Sequence, residues 1–309
     1  MMAPDHATPP GTGIMQRIEP GIRRIIAPNP SPMTYWGTNT FVLGEGDVVV
    51  IDPGPPDLSH MRALLDGLQQ GERITHILVT HAHLDHSPLA RILSESTKAP
   101  VLAFGDAQSG RSDVMRDLVE RGLSSGGEGV DASFKCDITL SDGEIFTAGG
   151  LQIEAIWTPG HFANHLCFAT QGAVFTGDHI MAWASSFVSP PDGDLTAFMA
   201  SCHKLAARKD RVFYPAHGGQ IDNPATRLNW LIQHRLTREA EIRTALTRMK
   251  TASVSSLTRE IYTDTPGALI PAAERNVFAH LIDLATREIV SAAPHLEANA
   301  FFRMMDEKS

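Results

Sequence analysis

Four apolar segments of this chain each run into a tight turn with histidine or aspartate at its tip, and that pattern narrows the folds open to it. Ile74-Thr75-His76-Ile77-Leu78-Val79 leads into Thr80-His81-Ala82-His83-Leu84-Asp85-His86. Leu151 to Trp157 leads into Thr158-Pro159-Gly160-His161, and a third short apolar run ends in Phe175-Thr176-Gly177-Asp178-His179. The fourth is Val212-Phe213-Tyr214-Pro215-Ala216-His217-Gly218-Gly219. Such runs read as buried strands. Glycine and proline in the turns let the backbone bend sharply and aim one side chain at a shared centre.

The first turn is the densest. Three of the chain's 14 histidines fall between residues 81 and 86, which a merely solvated loop does not explain. Side chains leaving a strand alternate in direction, so His81 and His83 can converge on one ion. Asp85 and His86, on the turn beyond, are then free to serve a second. Neutral imidazoles and carboxylates suit Zn²⁺, with Fe or Mn as alternatives.

With these motifs in this order, the chain resembles the metallo-β-lactamase superfamily of binuclear hydrolases over roughly residues 22 to 223. The resemblance implies an α/β fold, an αββα sandwich with two divalent metal ions at one edge. Carried over by position, it gives His81, His83 and His161 to one ion and Asp85, His86 and His217 to the other, with Asp178 bridging. It also implies a hydroxide shared by the ions as nucleophile, with Asp85 orienting it as the catalytic carboxylate. Paired cations lower the pKa of water towards neutrality and polarise the oxygen of the bond to be cut. True β-lactamases of the family usually lack the bridging aspartate, so Asp178 favours the thioesterase, phosphodiesterase, nuclease and lactonase branches. His179 stands where the lactamase-β-like protein 2 subgroup often has cysteine, and reads as a buried or supporting residue. Asp52, in Ile51-Asp52-Pro53-Gly54, matches a recurrent superfamily position and is expected to orient a ligand imidazole or pin the loop. Tyr214 and Trp183 are candidate pocket residues, with plain packing as the alternative.

Strands are expected at 21–27, 39–44, 46–54 and 100–104, with helices at 57–70, 87–97 and 111–122. Ser124 to Gly129 reads as a mobile loop, and Ile138 to Gly149 as a hairpin through Ser141-Asp142-Gly143-Glu144. The domain plan is a disordered lead over 1–20, a catalytic domain over 21–223, and a helical domain over 224–309. In the last of these, helices are expected at 225–251, 255–262, 271–282 and 284–290, and a wing-like strand at 298–304. It resembles the winged-helix tail of the lactamase-β-like protein 2 subgroup through His234-Arg235-Leu236-Thr237-Arg238-Glu239 and Ile261-Tyr262-Thr263-Asp264-Thr265-Pro266.

Charge then sorts the partners. Of the 26 basic and 35 acidic residues, eleven basic and ten acidic lie in 224–309, so the formal charge of −9 resides in the catalytic part. An acidic body attracts cations and repels nucleic acid. The expected function is therefore hydrolysis of a small ester, thioester or lactone. The alternative is a single-strand endoribonuclease or phosphodiesterase of the lactamase-β-like protein 2 type, with RNA as partner. A non-enzymatic binding module and a mononuclear iron sulfur dioxygenase fit less well, because both groups of ligands are present. No membrane partner is expected, since no apolar run approaches the roughly 20 residues that span a bilayer. Residues 1–11 lack the basic and apolar segments of a secretory leader. The widely spaced Cys136, Cys167 and Cys202 read as small buried residues in a reducing, cytoplasmic setting.

Overall fold

The computed structural model describes residues 10–124 and 129–305. Its first sheet holds seven strands in chain order: β1 (Gln16–Glu19), β2 (Ile22–Ile26), β3 (Asn39–Leu43), β4 (Asp47–Ile51), β5 (Arg73–Leu78), β6 (Val101–Ala103) and β7 (Ile138–Thr139). The pairs up to β3/β4 are antiparallel; from β4/β5 onward they are parallel, with α1 (Leu58–Asp66) and α2 (Pro88–Thr97) in the crossovers. The second sheet has the order β12-β11-β10-β9-β8, from β8 (Ile145–Ala148), β9 (Leu151–Trp157), β10 (Leu166–Thr170), β11 (Ala173–Gly177) and β12 (Val212–Pro215).

Period-two alternation explains why both faces of β4 are buried. Val49 and Ile51 join Phe41, Leu78, Phe168 and Phe175 between the two sheets. Val48 and Val50 face the other way, against Leu64 of α1 and Leu93 of α2. The outer face of the second sheet is covered by α4 (Leu195–Ala206) and by α5 (Pro224–Met249). This is the αββα sandwich, with four layers and a core wherever two of them meet.

The expected domain boundary falls at the N-cap of α5, where the Asn223 side chain accepts from Thr226 N. The helix itself is shared. Leu228, Leu231 and Ile232 pack on the second sheet, whereas Ile242, Ala245 and Leu246 enter a separate C-terminal core. That core also takes α6 (Val254–Ile261), α7 (Ile270–Thr286) and the small sheet β13 (Ala252–Ser253), β15 (Phe301–Met304), β14 (Val290–Ala293). Met115 and Leu118 of α3 (Asp113–Glu120) reach across into it.

Four expectations need correcting. The lead is not wholly irregular: Gln16–Glu19 pairs with β2, because Pro20-Gly21, with Gly21 at φ 75, turns the chain back. Residues 1–9 lie outside the described residues, as do 125–128 of the loop expected at 124–129. Ile138 to Gly149 is not a hairpin. β7 pairs with β6 and β8 with β9, because Gly143 N donates to Ala155 O and Ala155 N to Glu144 O, which sends the turn across to the second sheet. The helices expected at 271–282 and 284–290 are one helix, α7, whose apolar stripe runs unbroken through Leu281, Ile282 and Leu284. Cys136 is only half-buried, unlike Cys167 and Cys202.

One buried titratable group in the scaffold gives a testable pH effect. His60 on α1 is 1% exposed. Its Nε2 lies 2.9 Å from Thr40 Oγ1, whose own proton goes to Asp52 O at 2.7 Å, so His60 is the donor. Its Nδ1 is buried without a partner. Burial pulls its pKa down from 6.5 to about 4, against a smaller opposing pull from Asp57. As pH falls below 6.5 the unfolded chain takes up a proton that the folded one refuses until about 4, so stability drops across that window. The loss from this group is about 3 kcal/mol. Urea unfolding of His60→Gln at both ends of the window is expected to show a correspondingly smaller acid loss than the parent; equal losses would remove His60 from the account.

Candidate metal centre

All seven residues singled out in the sequence meet at one edge of the sandwich, in two groups: His81, His83, His161 and Asp178, and Asp85, His86 and His217. Within each group the nearest nitrogen and oxygen atoms lie within 4.8 Å of one another. The turn after β5 supplies four of them. It is held from three sides: Leu166 N donates to Thr80 O, Gly54 N to His86 O, and Asp131 N to Ala82 O. Pro88, which needs no N–H partner at a helix start, begins α2 directly behind the turn.

The turn before His161 needs Gly160, whose φ of 148 and close approach to α4 leave no room for a side chain. Gly177, at φ 48, lies against His165 and Thr80 just before Asp178. His217 follows β12, and its Nδ1 lies 3.2 Å from Gly37 O.

The hydrogen bonds fix which nitrogen of each ring faces the centre. Asp52 Oδ2 accepts from Thr80 Oγ1 at 2.7 Å, which leaves the Thr80 oxygen to accept from His81 Nδ1 at 3.0 Å. His161 Nδ1 donates to Phe187 O at 2.6 Å. His86 Nδ1 faces Asp52 Oδ2 at 3.0 Å. In His81, His86, His161 and His217 alike, Nδ1 is committed to an oxygen and Nε2 is turned inward, the arrangement that prepares a histidine to ligate.

The inward atoms then make poor company for one another. His83 Nδ1 sits 2.9 Å from His81 Nε2 and 3.2 Å from His161 Nε2. One proton on His83 can satisfy only one of those two lone pairs. His86 Nε2 and Asp178 Oδ1, 3.6 Å apart, are both buried without a hydrogen-bond partner. Two imidazole nitrogens on a tetrahedral zinc ion lie roughly 3.3 Å apart. The donor set and its spacing therefore fit a pair of divalent cations.

Electrostatics agree. Burial opposes charge throughout the cluster. Against it, His217 and His86 hold Asp178 well below the usual carboxylate range, and His86 and His217 do the same for Asp85. Burial likewise disfavours a proton on His217, but Asp178 and Asp85 raise its pKa to about 10. Burial and its histidine neighbours, chiefly His161, pull His83 down to about 3. Positive charge is thus wanted between the carboxylates, from protons or from a metal. A metal that displaces those protons binds more tightly as pH rises.

Asp52 supports the centre from behind. It takes an unusual φ of 49, accepts from Thr80 N and Thr80 Oγ1 at 2.7 Å each, and faces His86. Asp52→Asn is expected to weaken metal binding roughly 10- to 100-fold, measured by competition with a chelator. Unchanged affinity would reduce Asp52 to a loop pin.

His179 is fully buried against Phe198, with its Nε2 3.8 Å from Cys202 Sγ, and burial lowers its pKa to about 3. Tyr214 packs in the core on Phe175, and Trp183 stacks on Tyr35 with centroids 4.8 Å apart. Neither lines the cavity over the cluster.

That cavity has a volume of about 1020 Å³. His83, Asp85, His161, Asp178 and His217 line it, and its walls come from the 31–34 loop, Leu84, Met181, Phe187 and the C-terminal α6 and α7. Thr38, whose Oγ1 donates to Asp85 Oδ2 at 3.3 Å, had no sequence signal, and nor did the wall residues Phe278 and Arg275. No helix among the described residues is long and apolar enough to cross a membrane.

Comparison with known proteins adds the relatives. The metallo-beta-lactamase superfamily model matches residues 33–217, and the beta-lactamase associated winged helix domain matches 253–295. The chain is 30% identical over 274 residues to the beta-lactamase-like protein 2 homolog of Drosophila melanogaster, covering 87% of this chain and 89% of that protein. It is 28% identical over 261 residues to an atrochrysone carboxyl ACP thioesterase of Pseudocercospora fijiensis, covering 80% and 69%. In fold it is similar to the crystal structure of a beta-lactamase domain protein from Burkholderia ambifaria, with a TM-score of 0.80 at 20% identity over 97% of this chain and 96% of that one. With strand order, inward-facing histidines and sequence in agreement, the chain belongs to the metallo-β-lactamase superfamily and carries its associated winged-helix domain.

Proposed function

We propose that this protein is a binuclear metal-dependent hydrolase of esters or thioesters, with a bulkier and more apolar substrate than the small ester, thioester or lactone that sequence alone suggested. The observation that carries this reading is the placement of two ligand groups, sharing the neighbourhood of Asp178, on the lining of one large cavity. His81, His83 and His161 would hold one cation and Asp85, His86 and His217 the other, with Asp178 between them; zinc is the first choice, iron or manganese the alternatives. When bound, the pair would supply Lewis acidity and a water acidic enough to lose its proton near neutral pH.

The chain's own groups do the rest. Asp85, partly exposed to the cavity and bonded by Thr38 Oγ1, would orient water and take its proton. Met33, Leu84, Met181, Phe187 and Leu269 give an apolar bed that excludes bulk water and orients an acyl or aromatic body. The thioesterase name of one relative points the same way. Nuclease action is less well supported, because Arg275 is the sole lysine or arginine among the described lining residues, and strand tracking calls for several. The cytoplasmic location expected from the cysteines belongs to this proposal as well.

Metal-loaded protein is to be assayed on aryl and long-chain thioesters, esters and lactones, and on unstructured RNA at low salt with Mn²⁺ or Zn²⁺. Thioester or ester turnover that vanishes on chelation is the expected result. RNA cleavage with inert esters would replace this reading with the nuclease one.

A further inference from the structure

Arg275, on α7 of the C-terminal domain, stands out in the cavity wall because its partners are neutral. Nε donates to Ser189 Oγ at 3.0 Å and one terminal nitrogen to Ser124 O at 3.3 Å. Arg23, Arg111, Arg208 and Arg287 each sit against a carboxylate, whereas Arg227 and Arg235, like Arg275, bond neutral oxygens but do not line the cavity. No such ion pair holds Arg275 among the described residues. Its neighbour Glu274 also lines the cavity, but successive residues point about 100° apart around a helix. The guanidinium is half-buried, held in place by two oxygens, and keeps further N–H donors. A cation fixed in this way, the one basic side chain in a wall where Leu269, Pro271, Ala272 and Phe278 are apolar and Glu274 is acidic, is suited to an oxyanion.

We propose that Arg275 is a specificity-determining residue that binds a carboxylate or phosphate carried by the substrate at a distance from the bond that is cut. The substrate class is then an amphiphile, with an apolar body along the cavity and an anionic group at Arg275. This rests on the hydrolase reading above. The reaction is unchanged: water adds across the acyl–sulfur or acyl–oxygen bond to give a carboxylic acid and a thiol or alcohol, and Arg275 exchanges no proton. Two sources of the anion are open, the acyl group or the leaving thiol.

Full-length, metal-loaded protein and its Arg275→Gln and Arg275→Lys variants test the proposal in two arms. The first compares N-acetylcysteamine thioesters whose acyl chain ends in methyl or in carboxylate. The second compares one acyl group on pantetheine and on phosphopantetheine. The parent is expected to favour the charged member of one arm by roughly tenfold in kcat/KM, mostly through KM. Arg275→Gln should erase that preference and leave the neutral member within about twofold, and Arg275→Lys, which keeps charge but not the planar fork, should retain part of it. A role confined to tethering α7 would instead slow charged and neutral substrates alike. Calorimetry on metal-stripped protein with the matching amide analogues supplies a readout independent of turnover. Charged analogues should bind roughly tenfold tighter than neutral ones in the parent and equally in Arg275→Gln. Discrimination in calorimetry without turnover of any thioester or ester would uphold the anion site and overturn the hydrolase reading. Turnover with equal rates for charged and neutral members in both arms, or a preference that survives Arg275→Gln, would overturn the anion site alone.

Discussion

Asp178→Asn is expected to lower turnover by on the order of 10³-fold, equivalent to about 4 kcal/mol of barrier. It should also lower the metal held per chain. The reason lies in what the carboxylate faces. Oδ1 lies 3.2 Å from His217 Nε2 and 3.6 Å from His86 Nε2, while Oδ2 lies 3.7 Å from His161 Nε2, so one side chain faces both groups of candidate ligands. An amide keeps the size of the carboxylate but has no charge and only one acceptor oxygen. Elemental analysis after chelation and reloading, alongside steady-state kinetics, checks the result. Full metal content with parental turnover in the variant would show that the two groups do not share Asp178.

A large stability effect is expected from Gly160→Ala. A methyl group there would lie 2.4 Å from Phe198 Cα and 2.7 Å from Phe198 N, which are backbone atoms of α4 and have nowhere to go. Gly160 is also at φ 148, outside the range an alanine adopts comfortably. The combined cost is roughly 3 to 5 kcal/mol. Gly143→Ala is the control. Gly143 also has a positive φ, of 73, but nothing lies within 4 Å of a methyl placed there. It should cost only about 1 kcal/mol. Urea midpoints measure both, and a Gly160 variant as mild as the control would show that α4 can yield. Because Gly160 directly precedes His161, the variant is also expected to weaken metal binding, as α4 is pushed off the turn that aims the imidazole.

The parts of the molecule legible in the sequence were those written locally. A strand, a turn residue and a ligand occupy a few consecutive positions at 74–86, 151–161, 173–179 and 212–219, so their chemistry and their place at strand ends could be read together. Asp52 was legible through the family resemblance of Ile51-Asp52-Pro53-Gly54, and the structure sets it against His86. Other features depend on which distant segments meet. The exchange of sheets at 138–149 is decided by hydrogen bonds to Ala155, which no local pattern announces. The cavity wall draws on residues as far apart as Met33 and Ala298. Tyr214 has the composition of a pocket residue but is spent on packing against Phe41 and Phe175.

The sharing of α5 between two cores bears on how this protein would admit a substrate. A single helix of 26 residues is anchored at one end on the second sheet and at the other in the C-terminal core, so a hinge between the lobes would have to bend it or unpack a core. Side chains such as Met33 and Leu269 in the cavity wall can change rotamer on timescales far faster than packed lobes can move.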